Sequence, residues 1–352
     1  MASSRNPMGY AWQRALSVSG LVARVATFDE PLQHWGPATA AQFTALRREP
    51  SHDRASLDSV GFTPDVIFVW WGLGMVASTA EYLNRTFPGV PVVLCVDTYP
   101  NASVVLTELR EWATFLPRRR HVSGFVTTGT EMTHMLRRRG LIRREPTLEL
   151  NQPLALETHA SNDGSVGVPD TMLFSGRSDF LYSRDPRMAK DALGPALEGF
   201  MKAGMTVTVQ EPLDESAKSA LEERGYVFYS RFSNEAMVDG RFSDFAAGFG
   251  CQLVSYEIPS GVIRRRVNNG LSTRWTFGLA SPTPLVAPGR SGVARSFFAA
   301  HPVGLASDDP RHVVSELRRC GDAMRDHWHR HHHIWSAEGM AGPVLEYFAS
   351  IT

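Results

Sequence analysis

Two stretches of the chain carry residue types suited to holding a multiply charged anion. In TMLFSGRSDFLYSRDPR an apolar run passes into Ser175-Gly176-Arg177-Ser178. Glycine there lets the backbone approach a ligand closely, and arginine brings a planar, permanently charged fork that matches pairs of oxygens. The second stretch, Arg264 to Gly289 (RRRVNNGLSTRWTFGLASPTPLVAPG), opens with three arginines and continues into an amphipathic run. Val267, Leu271, Trp275 and Leu279 recur at helical spacing, while Asn268, Asn269, Ser272 and Arg274 occupy other faces. A helix N-terminus presents unpaired amide N–H groups, so this spacing predicts phosphate near Asn268 to Ser272. The plain alternative is a helix that only packs.

Those residues need a scaffold of alternating strands and helices. PDVIFVWWG is an almost continuous apolar run after a proline, as in a strand buried on both faces, and it ends at Trp70 and Trp71. The helix ASTAEYLNRTF leads to a second such strand, VVLCVDTYPNAS, which ends at Asp97. A charged helix, then HVSGFVTTGTEMTHMLRRRGL as strand, loop and helix, continue the alternation. Thr130 with Glu131 reads as a helix cap. Residues 145–170 turn to Ser, Asn, Asp and Gly, a linker composition that predicts a domain boundary. Beyond it come the strand TMLF, the helix AKDALGPALEGFMKAG, the strand MTVTVQE, the helix ESAKSALEERG and the strand YVFYSRF. CQLVSYEI is a further strand, ending at Glu257 in the loop before the arginines, and PLVAPG a short buried one. Such repetition predicts an α/β protein with parallel sheets, whose ligands sit at the carboxyl ends of strands.

Composition narrows the function. At 352 residues and 43% apolar content the chain suffices for two ordinary domains. Basic and acidic residues balance at 36 each, which removes the overall positive field of a dedicated nucleic-acid binder. Arg118-Arg119-Arg120, Arg137-Arg138-Arg139 and Arg143-Arg144 concentrate charge locally, either as solvated helix ends or as contacts to an anionic acceptor or membrane surface. No run of about 18 apolar residues suggests a spanning helix, and no signal-peptide pattern opens the chain, so a cytoplasmic location is expected. Cys95, Cys251 and Cys320 lie far apart and read as buried thiols. The run His327, His329, His331, His332, His333 contains i,i+4 pairs but lacks an evident further ligand, and no metal is expected.

The second anion-binding stretch resembles the sugar-nucleotide-binding region of GT-B glycosyltransferases, especially the retaining group typified by glycogen and mannosyl transferases. Their closing pattern, a glycine, then proline, two branched apolar residues and alanine, is matched by Gly278, Pro284, Leu285, Val286 and Ala287, with four extra residues between glycine and proline. The family's acidic pair is missing: Thr273 and Arg265 stand in its places. GFVTTGTEMTHMLRRRG resembles the family element in which a strand ends at the interdomain cleft, with Thr127, Thr128 and Thr130 at that end. The strand ending in Gly176-Arg177 is similar to the family's donor-pyrophosphate element, whose downstream cation would be Arg184, Arg187 or Lys190.

The resemblance implies two Rossmann-like doubly wound domains facing a cleft: residues 1–160 for the acceptor, 170–335 for the nucleotide sugar, and 336–352 as a helix crossing back to the first domain. It implies a hexosyltransferase-like enzyme, retaining and metal-independent, without a cofactor, taking a nucleotide-diphosphate sugar. The acceptor is a hydroxyl on a small molecule, glycan, lipid or nucleic acid. Gly176, Arg177, Lys190, Arg266, Asn268, Asn269 and Ser272 would hold the donor, with Trp71 and Thr128 lining the cleft. Asp97 would orient or deprotonate the acceptor hydroxyl, or it caps the turn at Thr98 to Asn101. Glu257 would meet a sugar or ribose hydroxyl, or it is a solvated loop acid. A non-catalytic binding protein, a nucleic-acid-modifying transferase and a sugar-nucleotide epimerase are the competing functions.

Overall fold

The computed structural model describes residues 63–70, 80–81, 83–96, 112–150, 167–176, 178–181, 193–232, 236, 240–255 and 273–352. Two parallel sheets organise them. In the first, β1 (Ile67–Trp70), β2 (Val92–Val96), β3 (Gly124–Thr127) and β4 (Thr147–Glu149) lie side by side in chain order. The unbroken apolar run of β2 serves two cores: Val93 and Cys95 enter one, Val92, Leu94 and Val96 the other. Residues 147–149, which composition alone assigns to a linker, form the edge strand; three residues are too few to show a period.

α1 (Thr130–Arg138) follows β3 through Gly129, whose φ of 149° favours glycine. Met132 and Leu136, one turn apart, are its buried stripe. Thr130 opens this helix without capping it. Gly129 is the N-cap, and the Thr130 hydroxyl donates to Glu149 Oε2 at 2.9 Å, tying α1 to β4. Exposed Arg137 and Arg138 sit in the last turn, where the helix dipole favours cations. Arg118 and Arg119 are used internally: Arg118 Nε lies 2.8 Å from Glu81 Oε2, and Arg119 Nε 2.5 Å from Glu145 Oε1. Burial raises the Glu145 pKa, but the Arg143 amide and the Arg119 guanidinium outweigh it and hold the carboxyl below its usual range.

The second sheet contains β5 (Val168–Phe174), β6 (Thr206–Gln210), β7 (Val227–Tyr229), β8 (Phe249–Leu253), β9 (Leu285–Ala287) and β10 (Gly304–Ala306), in the order β10-β9-β8-β5-β6-β7 and parallel throughout. Between its strands run α2 (Leu193–Lys202), α3 (Glu215–Glu223), α4 (Arg241–Ala247), α5 (Thr273–Leu279) and α6 (Gly292–Ala300). Asp214 caps α3 by accepting from the amides of Ser216 and Ala217, and Ser291 caps α6 by accepting from that of Ala294. β8 starts earlier than its apolar residues suggest, at Phe249. A Cβ at Gly250 would lie 2.9 Å from the Val168 carbonyl oxygen, so glycine is what lets β8 pair with the irregular start of β5.

Two long helices finish the chain, α7 (Pro310–His331) and α8 (Ala337–Ile351). α8 contributes Met340, Val344, Tyr347 and Phe348 to one apolar cluster that also holds Val93, Cys95 and Val126 of the first sheet and Leu173, Tyr229, Phe242 and Phe277 of the second lobe. Phe348 meets Phe68 with ring centroids 5.5 Å apart, and the Tyr347 hydroxyl donates to the Pro146 carbonyl at 2.8 Å. Trp275, Trp328 and Trp335 fill the cluster around α5, α6 and α7, where the Trp328 indole donates to the Leu279 carbonyl at 2.8 Å. Burial of such a ring outweighs its hydrogen bond: truncating a core Trp costs about 3–5 kcal/mol, a single hydrogen bond about 1. Cys95 and Cys251 are buried as expected, whereas Cys320, on α7, is half-buried.

The histidine run closes α7 by stacking. His327 lies on His331 with centroids 4.1 Å apart, and His332 on Trp328 at 4.7 Å. His301 packs against Phe297 and Trp335, and burial lowers its pKa, with His327 and His331 adding to the shift. Among the described residues no group of three His, Cys, Asp or Glu side chains is arranged to hold a metal ion, and no helix is long and apolar enough to cross a membrane.

Two outcomes follow from these contacts. A Cβ at Gly124 would collide with the Tyr347 hydroxyl. Tyr347→Phe should therefore cost about 1 kcal/mol in denaturant unfolding and Gly124→Ala about 1–3, while the double variant costs less than their sum because the phenol oxygen is gone. Simple additivity would contradict the packing. Second, His301 and His327 are both held below the ordinary value of 6.5, His327 also by burial first and then by His331 and Arg330. Below that pH the unfolded chain takes up protons that the folded one resists, so the melting temperature should fall as pH drops from 6.5, and His301→Phe should flatten the slope. An unchanged slope in the variant would remove His301 as a cause.

Candidate functional site

The strand order of the second sheet sets where a ligand can enter. From β5 the chain moves outward through β6 to β7, then returns to β8 on the other side of β5. Between β5 and β8 the connections diverge, which leaves a crevice outside the carboxyl ends of those two strands.

Four side chains or turns meet there. β5 ends in Ser175 and buried Gly176, and a Cβ at Gly176 would collide with the Phe174 ring, so only glycine fits this turn. β8 ends at Leu253 and continues through buried Val254 and Ser255. α5 brings Arg274 over both strand ends: its Nε donates to the Val254 carbonyl at 3.2 Å, and its guanidinium carbon lies 5.8 Å from the centroid of Phe174. Gln252, with no exposed surface, donates from Nε2 to Ser175 Oγ at 3.0 Å. Its Oε1 has no hydrogen-bond partner among the described residues. The crevice thus brings a cation and a hydroxyl beside a glycine turn packed on Phe174, a set suited to a phosphate-bearing ligand.

The first sheet brings its own carboxyl edge close. Thr127 is fully buried with its hydroxyl 2.7 Å from that of Thr133, and Thr128 is 6% exposed at the end of β3. Glu131, in the first turn of α1, reaches the second lobe: its Oε1 would be 3.7 Å from a Cβ at Gly292, the first residue of α6. A carboxylate at a helix N-terminus is favourably placed against the dipole. The ends of β3 and β9 are therefore neighbours.

Of the residues expected from sequence to form a site, Gly176 and Thr128 are placed as described above. Asp97, Arg177, Lys190, Glu257, Arg266, Asn268, Asn269, Ser272 and Trp71 lie outside the described residues, as does the part of the expected helix before Thr273. The sequence pattern alone does not mark Arg274 or Gln252 as site residues, and Ser175 stands in it only as part of the Ser175-Gly176-Arg177-Ser178 exit. Arg274 showed only as a polar face of the amphipathic run. The signal for Gln252 was an amide inside an otherwise apolar strand, which burial makes expensive unless it has work to do.

No protein-family model matches the sequence, and no curated protein matches it. The likeness lies in three dimensions. A UDP-forming α,α-trehalose-phosphate synthase from Burkholderia xenovorans aligns over 100% of this chain and 87% of its own, with TM-score 0.52 and 10% identity. The N-terminal domain of trehalose-6-phosphate phosphatase from Candida albicans aligns over 90% of this chain and 78% of its own, with TM-score 0.52 and 10% identity. An α,α-trehalose-phosphate synthase (UDP-forming) from Burkholderia vietnamiensis aligns over 99% and 85%, with TM-score 0.50 and 12% identity. At such identities the shared property is architecture. Two parallel sheets with interleaved helices, closed by a C-terminal helix that touches the first sheet, give this chain the GT-B fold of the glycosyltransferases.

Proposed function

We propose that the protein is a glycosyltransferase that moves a sugar from a nucleotide-diphosphate donor to a hydroxyl acceptor. The observation that carries this reading is Arg274, a guanidinium held over the β5–β8 crevice of a GT-B second lobe. Glycosyl transfer releases a diphosphate, and fixed cations and helix N-termini can neutralise that developing charge without a metal. Two proteins of like fold are named as UDP-forming synthases, which makes UDP sugars the first donors to try.

In this reading residues 170–335 hold the donor, residues 1–160 the acceptor, and residues 336–352 brace the two. Gly176 admits the diphosphate backbone-close. Arg177, Lys190 and Arg266 join Arg274 as its cations, and Asn268, Asn269 and Ser272 donate to its oxygens. Glu257 accepts from a ribose or sugar hydroxyl, Trp71 and Thr128 line the acceptor side, and Asp97 orients or deprotonates the attacking hydroxyl. We assign retention of configuration, independence of metals and cofactors, and a cytoplasmic setting to the same proposal. The acceptor is a small molecule, glycan, lipid or nucleic acid.

One observation favours a second reading. Thr273 and Arg265 replace the acidic pair of the family the sequence resembles, and Thr273 begins α5 beside Arg274. A protein that binds a nucleotide sugar without transferring it would fit that loss.

Turnover of UDP- and GDP-sugars, read as release of the nucleoside diphosphate with a panel of acceptors, separates the two. Arg274→Ala and Arg177→Ala should each lower kcat/KM by about 10²-fold, the scale of one lost charge-stabilising group, and Asp97→Ala should lower kcat by about 10²–10⁴-fold. Full activity in all three variants would remove the site. Calorimetric binding with no turnover on any acceptor would select the binding protein.

A further inference from the structure

Gln252 lies in the middle strand pair of a six-stranded sheet, between Cys251 and Leu253, and is completely buried. Leaving such a buried amide unsatisfied is costly. One of its ends is satisfied by Ser175 Oγ, and Oε1 meets no hydrogen-bond partner among the described residues. An apolar side chain of similar volume would fit this strand without that penalty. The amide touches one hydrogen-bonding group among the described residues, the hydroxyl on the first residue beyond β5.

We propose that Gln252 is a positioning residue that fixes Ser175 as a hydrogen-bond donor to an oxygen of the diphosphate in the β5–β8 crevice. This rests on the donor-binding reading given above. A serine hydroxyl has one proton and two lone pairs, and an amide NH₂ can only donate. Because Gln252 Nε2 donates into Ser175 Oγ, the serine proton cannot point down the strand toward the amide. That proton is left for an acceptor other than the amide, at the exit of β5 where Arg274 lies over the neighbouring Phe174. The pair thereby removes the amide as an acceptor for this rotor and biases the serine toward donating to a ligand. Such a donor selects a ligand oxygen that carries negative charge, and it adds no net charge to a crevice already holding a cation. Nε2 is the end placed on Ser175; a reversed amide would accept the serine proton and leave only lone pairs for a ligand.

Calorimetry of the full chain with UDP and with GDP tests the pair. Ser175→Ala should weaken binding of the preferred nucleotide by about 10- to 100-fold, the range for a hydrogen bond to a charged oxygen. Gln252→Glu should weaken it at least as much, since a carboxylate accepts the serine proton and places negative charge beneath the diphosphate. Gln252→Met should cost several-fold in affinity while leaving thermal stability equal or higher, and in the Ser175→Ala background it should have no further effect. That loss of effect is what a merely structural role would not produce. If the unmodified chain binds neither nucleotide, the donor-binding reading falls and takes this one with it. If it binds and the effects of Gln252→Met and Ser175→Ala simply add, or Ser175→Ala binds normally, Gln252 has no positioning role and the donor-binding reading stands alone.

Discussion

Burial of both faces of every central strand is the constraint on which the rest of the structure depends. Parallel strands satisfy their backbone groups within the sheet and must cover both surfaces with helices. Neighbouring residues of one strand therefore feed different cores: Leu173 joins the cluster shared with α8, whereas Met172 and Phe174 join the cluster beneath α2 and α7. Such strands have no solvated face on which polar residues can sit. Hydrogen-bonding side chains are driven to the strand ends, and one that stays inside bears a penalty for every polar atom left unpaired.

The geometry of the crevice follows from that exclusion. Phe174 plugs the end of β5 and leaves room at residue 176 for glycine only, while its ring gives Arg274 an apolar and quadrupolar surface to rest on. Among the described residues the polar side chains at the divide between β5 and β8 include Ser175, Gln252 and Arg274, with Gln252 donating to Ser175 and Arg274 to the Val254 carbonyl. A similar economy holds between the lobes. The apolar cluster around α8 joins residues of both sheets, and the Tyr347–Pro146 hydrogen bond and Glu131 at the start of α6 mark further points where they meet.

Much of the scaffold was legible because strands buried on both faces write themselves as unbroken apolar runs: PDVIFVW, VVLCV, TMLF and PLVA each give a strand. β4 and β10, three residues each, carry too little pattern, and β4 hid inside a polar stretch that looked like linker. Thr130 was misplaced as a cap because Gly129 takes that position, a choice made by backbone conformation and not by side-chain oxygen. Arg118 and Arg119 looked like free charge since their partners, Glu81 and Glu145, are distant in sequence. The glycine turn at the exit of β5 was legible from its strand-end context. Gln252 and Arg274 were not, because their meaning comes from the pairing of β5 with β8, which skips over β6 and β7.

α5 is held at both ends. Its first turn is anchored through Arg274 to the Val254 carbonyl, and its last carbonyl, that of Leu279, receives the Trp328 indole from the long helix α7. Immobilising a flexible side chain on binding ordinarily consumes about 0.5–1.5 kcal/mol of rotational freedom. Here part of that entropy is surrendered during folding, through the Val254 carbonyl and the Phe174 ring, so the guanidinium is already oriented before anything binds beside it.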